Sequence, residues 1–490
     1  MRSANSVYLL YHFFYPDDVV SARLYSDLAE ELTAAGYAVT AMPSNRSCHN
    51  PHVILPRHET WAGGEIRRIS RPNWPQHKPL GRLGNTLCML LGWSWRALMT
   101  PRRGNEVVII GTDPVLAVLI AITWRLFRPS STIIHWCHDL YPHAAVAEGM
   151  LDQQALPVRL LNRLLQVAYR RCDVIADLGI CMRRLLQEAA GDELTPLCTD
   201  QYTPRCPDAA TSPVTADDDD WLARCWADDE AALAVDASLL RGDGEATGTA
   251  LRPATKVDEV SILGGRSQTS WRSGRYATLV PWSLVEPPAL LAADPEVRQD
   301  LFGDCHLGLL YSGNFGRAHG FESVLTLARR LRHDQVSLCL AGRGPGLHAV
   351  QSAVTLADRN IRFASFADER RLAARLTAAD IHLVALRDNW TGAVVPSKFF
   401  GALAAGRPVL FAGSADSAIA RWIEEHGVGW ILNEQTLDDV TDRLRRLAVE
   451  PESMSELRQR CLEVYHRQFS RRVQIGRWLE VIEKRGWQPR

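Results

Sequence analysis

The chain has no excess of charge of either sign. Fifty-five Lys and Arg stand against 56 Asp and Glu in 490 residues, a net charge of -1. That balance argues against a general nucleic-acid binder, which needs a basic face for the phosphate backbone. The 11 cysteines form no CxxC pair and no histidine stands at zinc-ligand spacing, so no metal site is expected. A scattered, odd-numbered set reads as reduced thiols of a cytosolic protein rather than a disulfide framework. No signal peptide is visible before the first strand-like run. No apolar run reaches the roughly 20 residues of a membrane span. The most apolar stretch, Pro114 to Phe127, reads as a buried helix. No GxGxxG follows the first strand, so nothing argues for NAD or FAD.

What is present is the hydrophobic (46%) and charged (23%) content of a globular protein, at a length that implies two or three domains. Ser6–Tyr11 reads as a strand, His12–Ser21 as a loop and Ala22–Ala35 as a helix, with Leu24, Leu28 and Leu32 on one face. Gly36 and a strand at Tyr37–Met42 close the first βαβ unit of a Rossmann-like half. Val107–Gly111 is a strand, and Asp113-Pro114 is expected to cap the helix that follows. Thr132–Trp136 is the next strand. Its C-terminal end carries Cys137-His-Asp-Leu-Tyr-Pro-His143, where open α/β sheets place ligands. The segment Leu80–Met99, flanked by Arg82, Arg96, Arg102 and Arg103, reads either as an interior-facing helix or as one lying on a membrane surface through 80–103.

Periodicity collapses over 192–274, with Pro196, Pro204, Pro207, Pro213 and the run Asp217–Asp220. This reads as an irregular, partly disordered insertion, with amphipathic character only at Trp221–Leu240. The expected organisation is a first Rossmann-like domain at 1–191 and 275–285, interrupted by 192–274. A second Rossmann-like domain follows at 286–470, and a final helix at 471–490. Ser283–Cys305 reads as a proline-bearing connector.

In the second half three loops follow strands: Gly313–Gly316, Gly342–Gly346 and Thr391–Lys398. Two are glycine-rich, which lets backbone amides approach an anion. In the third, Ser397 is expected to cap a helix that starts at Lys398 and stops at Gly406. A lysine beside a helix N-terminus is a seat for a diphosphate. Arg343 supplies a second cation, and Trp390 or Phe315 could flank a base or sugar.

Those residues carry a resemblance. Phe13-Phe-Tyr-Pro-Asp17, Trp136-Cys-His-Asp-Leu-Tyr-Pro142, Tyr311-Ser-Gly-Asn-Phe-Gly316, Ala341-Gly-Arg-Gly344 and Val395–Val409 are similar to the motifs of GT-B glycosyltransferases of family 4. The likeness is to the branch of bacterial exopolysaccharide, colanic-acid-like and O-antigen assembly with a Pro-Ser-Lys motif. It implies an α/β fold of two Rossmann-like domains facing each other across a cleft, with the insertion late in the first: an acceptor-binding domain at 1–191 and 275–285, a nucleotide-sugar-binding domain at 286–470, and a helix at 471–490 that crosses back to the first. It also implies retaining, metal-independent transfer of a hexosyl or N-acetylhexosaminyl group from a UDP- or GDP-linked donor to a lipid-linked or polysaccharide acceptor, without a cofactor. The location implied is cytoplasmic, peripheral on the inner membrane face. His138, Asp139 and Lys398 become the expected catalytic residues. Gly313, Asn314, Phe315, Arg343, Gly344, Trp390, Val395, Pro396, Ser397 and Phe399 become donor-binding, and Tyr15, Pro16 and Asp17 acceptor-side. The chain departs from the family where two glutamates usually bracket the third loop, since Ala393 and Gly401 stand there. It departs again where the first loop usually carries Arg and Lys, since Asn314 and His319 stand there. A nucleotide-sugar epimerase or hydrolase on the same fold, or a non-catalytic partner subunit, are the alternatives.

Overall fold

Runs such as Ser6–Leu10 and Glu106–Ile110 are buried at every position. Strands covered on both faces are what parallel sheets sandwiched by helices require. The structure is a computed structural model that describes residues 6–48, 50–75, 79–102, 105–194, 272–366 and 369–483. The insertion's amphipathic segment, its acidic run and positions 484–490 of the helix expected at 471–490 lie outside the described residues.

The first sheet contains β1 (Ser6–Leu10), β2 (Ala38–Ala41), β3 (His58–Trp61), β4 (Gly64–Arg67), β5 (Glu106–Ile110), β6 (Thr132–Trp136), β7 (Val174–Asp177), β8 (Arg272–Ser273) and β9 (Tyr276–Thr278). Their spatial order is β3-β4-β2-β1-β5-β6-β7-β9-β8. The β3–β4 and β8–β9 pairs are antiparallel, and the pairs between them are parallel. The second sheet is entirely parallel. It contains β10 (Leu307–Asn314), β11 (Val336–Arg343), β12 (Ile361–Ala364), β13 (Ile381–Ala385), β14 (Val409–Ala412) and β15 (Gly429–Leu432), ordered β12-β11-β10-β13-β14-β15. In both sheets the order reverses beside the first strand, which opens a crevice at the carboxyl ends of the strands.

Two local expectations fail for physical reasons. Asp113 does not cap a helix; its carboxylate lies 3.1 Å from His12 Nδ1, and the α-helix begins only at Ile120. The connector 283–305 contains the helix Pro295–Phe302, started by Asp294, whose carboxylate accepts from the amides of Glu296 and Val297. The signal was the Asp-Pro-Glu sequence itself.

The helix Arg471–Glu483 lies against the first half. Trp478, fully buried, meets Trp136 edge-on at 5.0 Å. Gln474 Oε1 accepts from the amide of Val280, and Arg471 lies 3.3 Å from Asp27. One hydrophobic core therefore runs from the first sheet through Trp136, Trp282 and Trp478 to Phe399, Phe400 and Phe469 of the second half.

Candidate functional site

The third loop of the second half starts as β13 ends. A single turn at Asp388–Trp390 leads to Gly392, in the left-handed region at φ 85°, and then to an extended run up to Pro396. The helix Lys398–Ala404 follows, and Gly406 (φ 65°) closes it with a left-handed residue as its glycine requires. Ser397 is not the cap. It is already helical (φ -64°, ψ -18°), so its exposed hydroxyl is turned away from the amides, and the first turn is closed by the carbonyls of Pro396 and Ser397. With seven residues this helix has a small dipole, so its positive charge is chiefly that of Lys398.

Lys398 lies across Gly313 at the end of β10. A Cβ built on Gly313 would stand 2.4 Å from Lys398 Cε and 3.1 Å from its Nζ. The ammonium also sits 5.1 Å from the centre of the Tyr311 ring, whose hydroxyl donates to the Asn314 carbonyl at 2.6 Å. Beneath it His319 donates from Nδ1 to the Ala385 carbonyl at 2.6 Å. Burial first, and the Lys398 charge second, push the His319 pKa down to about 3. The imidazole is therefore neutral, and Lys398 keeps the local positive charge.

The second loop closes over the first. A Cβ on Gly342 would stand 1.9 Å from the Gly313 carbonyl, and one on Gly344 (φ 116°) 2.4 Å from Asn314 Oδ1. Only glycine permits this approach of β11 to β10. Arg343 stacks its guanidinium 4.3 Å from the centre of the exposed Phe366 ring. Gly313, Asn314, Arg343, Gly344, Ser397 and Lys398 are thus gathered at adjacent strand ends.

The aromatic residues of these loops behave otherwise. Phe315 is fully buried, stacked on Phe321 at 5.0 Å and against Tyr311 at 4.4 Å, so it has no face for a base. Phe399 is equally buried, packed on Trp422 and Phe469. Trp390, Val395 and Pro396 are buried within the loop and shape it rather than line it. In each case an apolar ring or chain beside a core is worth more inside than facing water.

From the first half, the loop after β6 meets the third loop through the backbone. Asp139 bridges to Val394, and the Leu140 amide donates to the Ala393 carbonyl at 2.8 Å. His138 lies 4.4 Å from the Trp136 ring and 6.1 Å from that of Tyr25. Its Nε2 is enclosed and has no hydrogen-bond partner. Burial, reinforced by His135, pushes its pKa down to about 3, so it is a neutral acceptor or donor above that pH. The side chain of Asp139 is exposed. Tyr15 is partly exposed and stacks on Trp61 at 5.5 Å, with Pro16 beyond a cis bond. Asp17 is different: it is buried, and its Oδ1 accepts from the Cys48 amide (2.9 Å) and the Ser47 hydroxyl (3.3 Å). Its carboxylate holds the 47–48 turn and does not face an acceptor.

Two features escaped the sequence reading. Arg317, just past the first glycine-rich loop, pairs with Glu148 of the first half at 3.1 Å. Behind the Asp139–Val394 bridge lies a cavity of about 370 Å³ between the halves, bordered by His143, Gln153, Asn162, Glu188, Asn389 and Thr391. His143 Nδ1 and Thr391 Oγ1 are enclosed there without partners. Among the described residues, no cluster of three or more His, Cys, Asp or Glu is placed to hold a metal ion.

Residues 305–463, about a third of the chain, match the family described as Glycosyl transferases group 1. A Pseudomonas aeruginosa protein named as a glycosyltransferase, WbjE, is 24% identical over 338 residues. That alignment takes in 68% of this chain and 64% of WbjE, so the chain spans less than two thirds of that relative. WcaI of Escherichia coli (strain K12), named as a colanic acid biosynthesis glycosyl transferase, is 28% identical over 145 residues, 29% of this chain and 36% of WcaI. Among solved structures, sucrose-phosphate synthase from Thermosynechococcus elongatus superposes with a TM-score of 0.59 at 12% identity, covering 98% of both chains. With two Rossmann-like sheets, one entirely and one mostly parallel, and this likeness, the fold is GT-B.

Proposed function

We propose that the chain is a glycosyltransferase that moves a sugar from a nucleotide-diphosphate donor to a lipid-linked or polysaccharide acceptor of a bacterial surface polysaccharide. The observation that carries this reading is the placement of Lys398 over Gly313, where the glycine-rich strand ends of the second half meet. A departing diphosphate gains negative charge as the glycosidic bond breaks, and fixed positive charge in a partly closed site stabilises it. Lys398 and Arg343 would supply that charge; the backbone at Gly313 and Gly344 gives the phosphates close access. His138, neutral and with Nε2 unsatisfied, would hydrogen-bond the transferred sugar or the acceptor hydroxyl. The polar half of the residues bordering the interdomain cavity, Gln153, Asn162, Glu188 and Asn389 among them, suits the hydroxyl groups of the acceptor.

The match over 305–463 and the names of WbjE and WcaI support transfer and a surface-polysaccharide role. The finer reading is a hexosyl or N-acetylhexosaminyl donor carried on UDP or GDP, retention of configuration, and no metal or cofactor. The protein would work peripherally on the inner membrane face. The test is incubation with radiolabelled UDP- and GDP-sugars and a bacterial lipid extract. Label transferred to lipid or glycan supports the reading. Conversion without an acceptor would make the chain an epimerase or hydrolase, and binding without conversion a non-catalytic subunit.

A further inference from the structure

The helices Pro79–Met99, Ile120–Phe127 and Leu156–Arg171 lie side by side on the first half, the middle one touching both neighbours. The 79–99 helix already uses one face for the core: Met89, Trp93 and Ala97 are buried, and Trp93 Nε1 donates to the Met42 carbonyl. Its opposite face should then be polar. It is not. Leu80, Leu83, Leu87, Leu91, Trp95 and Leu98 recur there at three- and four-residue steps, and all are exposed.

The 156–171 helix repeats the pattern. Val158, Leu165, Ala168 and Tyr169 face inward, while Leu156, Leu160, Leu164 and Val167 form an outer stripe. Leu91 and Leu160 are each 69% exposed, and Leu126 of the middle helix is exposed as well. Scattered exposed leucines are ordinary, but contiguous stripes on adjacent helices mark a surface that is covered in use.

Charge identifies the cover. The chain as a whole is balanced. These three helices contain Arg82, Arg96, Arg125, Arg159, Arg163, Arg170 and Arg171 and not one Asp or Glu. Arg125 is taken by Asp173, but Arg159, Arg163 and Arg171 are exposed beside the leucine stripe. A second copy of the same face would bring like charges together, which disfavours self-association. An apolar stripe with arginines and no carboxylates complements an anionic lipid surface instead. Among the described residues no helix is long and apolar enough to cross a membrane, so the contact lies in the interface plane.

We infer that the three helices form one docking face for an anionic bilayer, with the leucine stripes in the headgroup boundary and the arginines on lipid phosphates. The face extends well beyond the 80–103 segment, because the 156–171 helix contributes a full stripe. Val158 and Asn162 of that helix also border the interdomain cavity. Docking therefore brings the cavity next to the headgroups, where a lipid-linked acceptor would present its sugar; this last step alone rests on the function proposed above.

The experiment is co-sedimentation of the full chain with phosphatidylcholine vesicles containing 0 or 30% phosphatidylglycerol, without nucleotide sugar, at low and high salt. Binding should require the anionic lipid and fall with salt, since each arginine near such a surface adds roughly fivefold to partitioning. Leu160→Glu with Leu164→Glu, both surface positions, should lower bound protein at least tenfold and leave the melting temperature unchanged. Arg159→Glu with Arg163→Glu should lower it as much and flatten its dependence on salt. Equal binding to vesicles without phosphatidylglycerol overturns the charge assignment. No vesicle binding, with or without a dimer that the leucine variants disperse, overturns the proposal. Loss of sugar transfer with vesicle binding intact would count against the proposed function only.

Discussion

Lys398 and Gly313 are a matched pair: the lysine stem crosses the glycine so closely that a Cβ there would stand 2.4 Å from Lys398 Cε. Gly313 also has φ 141°, outside the range that side chains tolerate. The chain has only four lysines, with arginine at nearly every other basic position. A compact ammonium on a slim stem fits over this strand end, where a planar guanidinium is broader.

The first prediction follows directly. Lys398→Ala should lower kcat by 10²–10³-fold, about 3–4 kcal/mol of transition-state stabilisation, with the fold intact by circular dichroism. Gly313→Ala should lower it as well, because the new methyl displaces the lysine. Turnover of Lys398→Ala near the wild-type rate would sink the proposed diphosphate seat.

Metal chelation is the second test. If Lys398 and Arg343 meet the diphosphate charge, excess EDTA should leave the initial rate of transfer within about twofold. A loss restored by added Mg²⁺ or Mn²⁺ would show that a cation provides the Lewis acid instead.

Stability should depend on pH through buried histidines. Burial pushes His135 and His382 each down to about 4, despite hydrogen bonds from their rings to the carbonyls of Ile110 and Leu376. Above pH 6.5 both states hold these rings neutral and nothing changes. As pH falls from 6.5 towards 4 the unfolded chain takes protons that the folded chain refuses, so stability is lost. Each ring contributes a slope of up to about 1.4 kcal/mol per pH unit. Chemical denaturation of His382→Gln should show a shallower acid decline than the native chain, whatever its stability at pH 7.

What could be read from the sequence was local. The strand-loop-helix periodicity of both halves is a matter of neighbours along the chain, as is the left-handed stop at Gly406. What could not be read depends on packing that spacing along the chain does not show. Phe315 sits in a loop, and its contacts with the Tyr311 and Phe321 rings, four and six residues away, decide that it turns inward. Asp17 reads as an acceptor-side carboxylate, and only Ser47 and Cys48, about thirty residues further on, take its Oδ1 inward. Ser397 carried the right side chain for a cap but the wrong backbone angles. That Leu156, Leu160 and Leu164 face out is shown only by the packing of their helix.

The C-terminal helix gives a stability prediction. Trp478 is fully buried against Trp136, which itself donates to the Leu279 carbonyl at 2.9 Å. Trp478→Ala should cost about 3–5 kcal/mol in chemical denaturation, the usual price of emptying an aromatic site. A change below about 1 kcal/mol would mean that the helix is not docked in solution.

The contact between the halves yields the last prediction. Gly392 lies between Thr391, which borders the interdomain cavity, and Ala393, which accepts the Leu140 amide. Its φ of 85° disfavours any other residue, and a Cβ there would meet the Cys181 carbonyl and Leu185 Cδ1, each at 2.8 Å. The carbonyl belongs to backbone and cannot swing aside, so Gly392→Ala must push the third loop away from the first half. The bridge from Val394 to Asp139 would be lost, while Lys398, anchored by the buried Phe399 and Phe400 that pack on Phe469, would stay over Gly313. Gly392→Ala should therefore lower kcat/KM by at least tenfold, while binding of nucleotide diphosphate alone, which the proposed function seats on the second half, should change little in calorimetry. If transfer and binding fall together, the substitution has damaged the second half itself. If neither changes, the bridge from Asp139 to Val394 is not part of the working site.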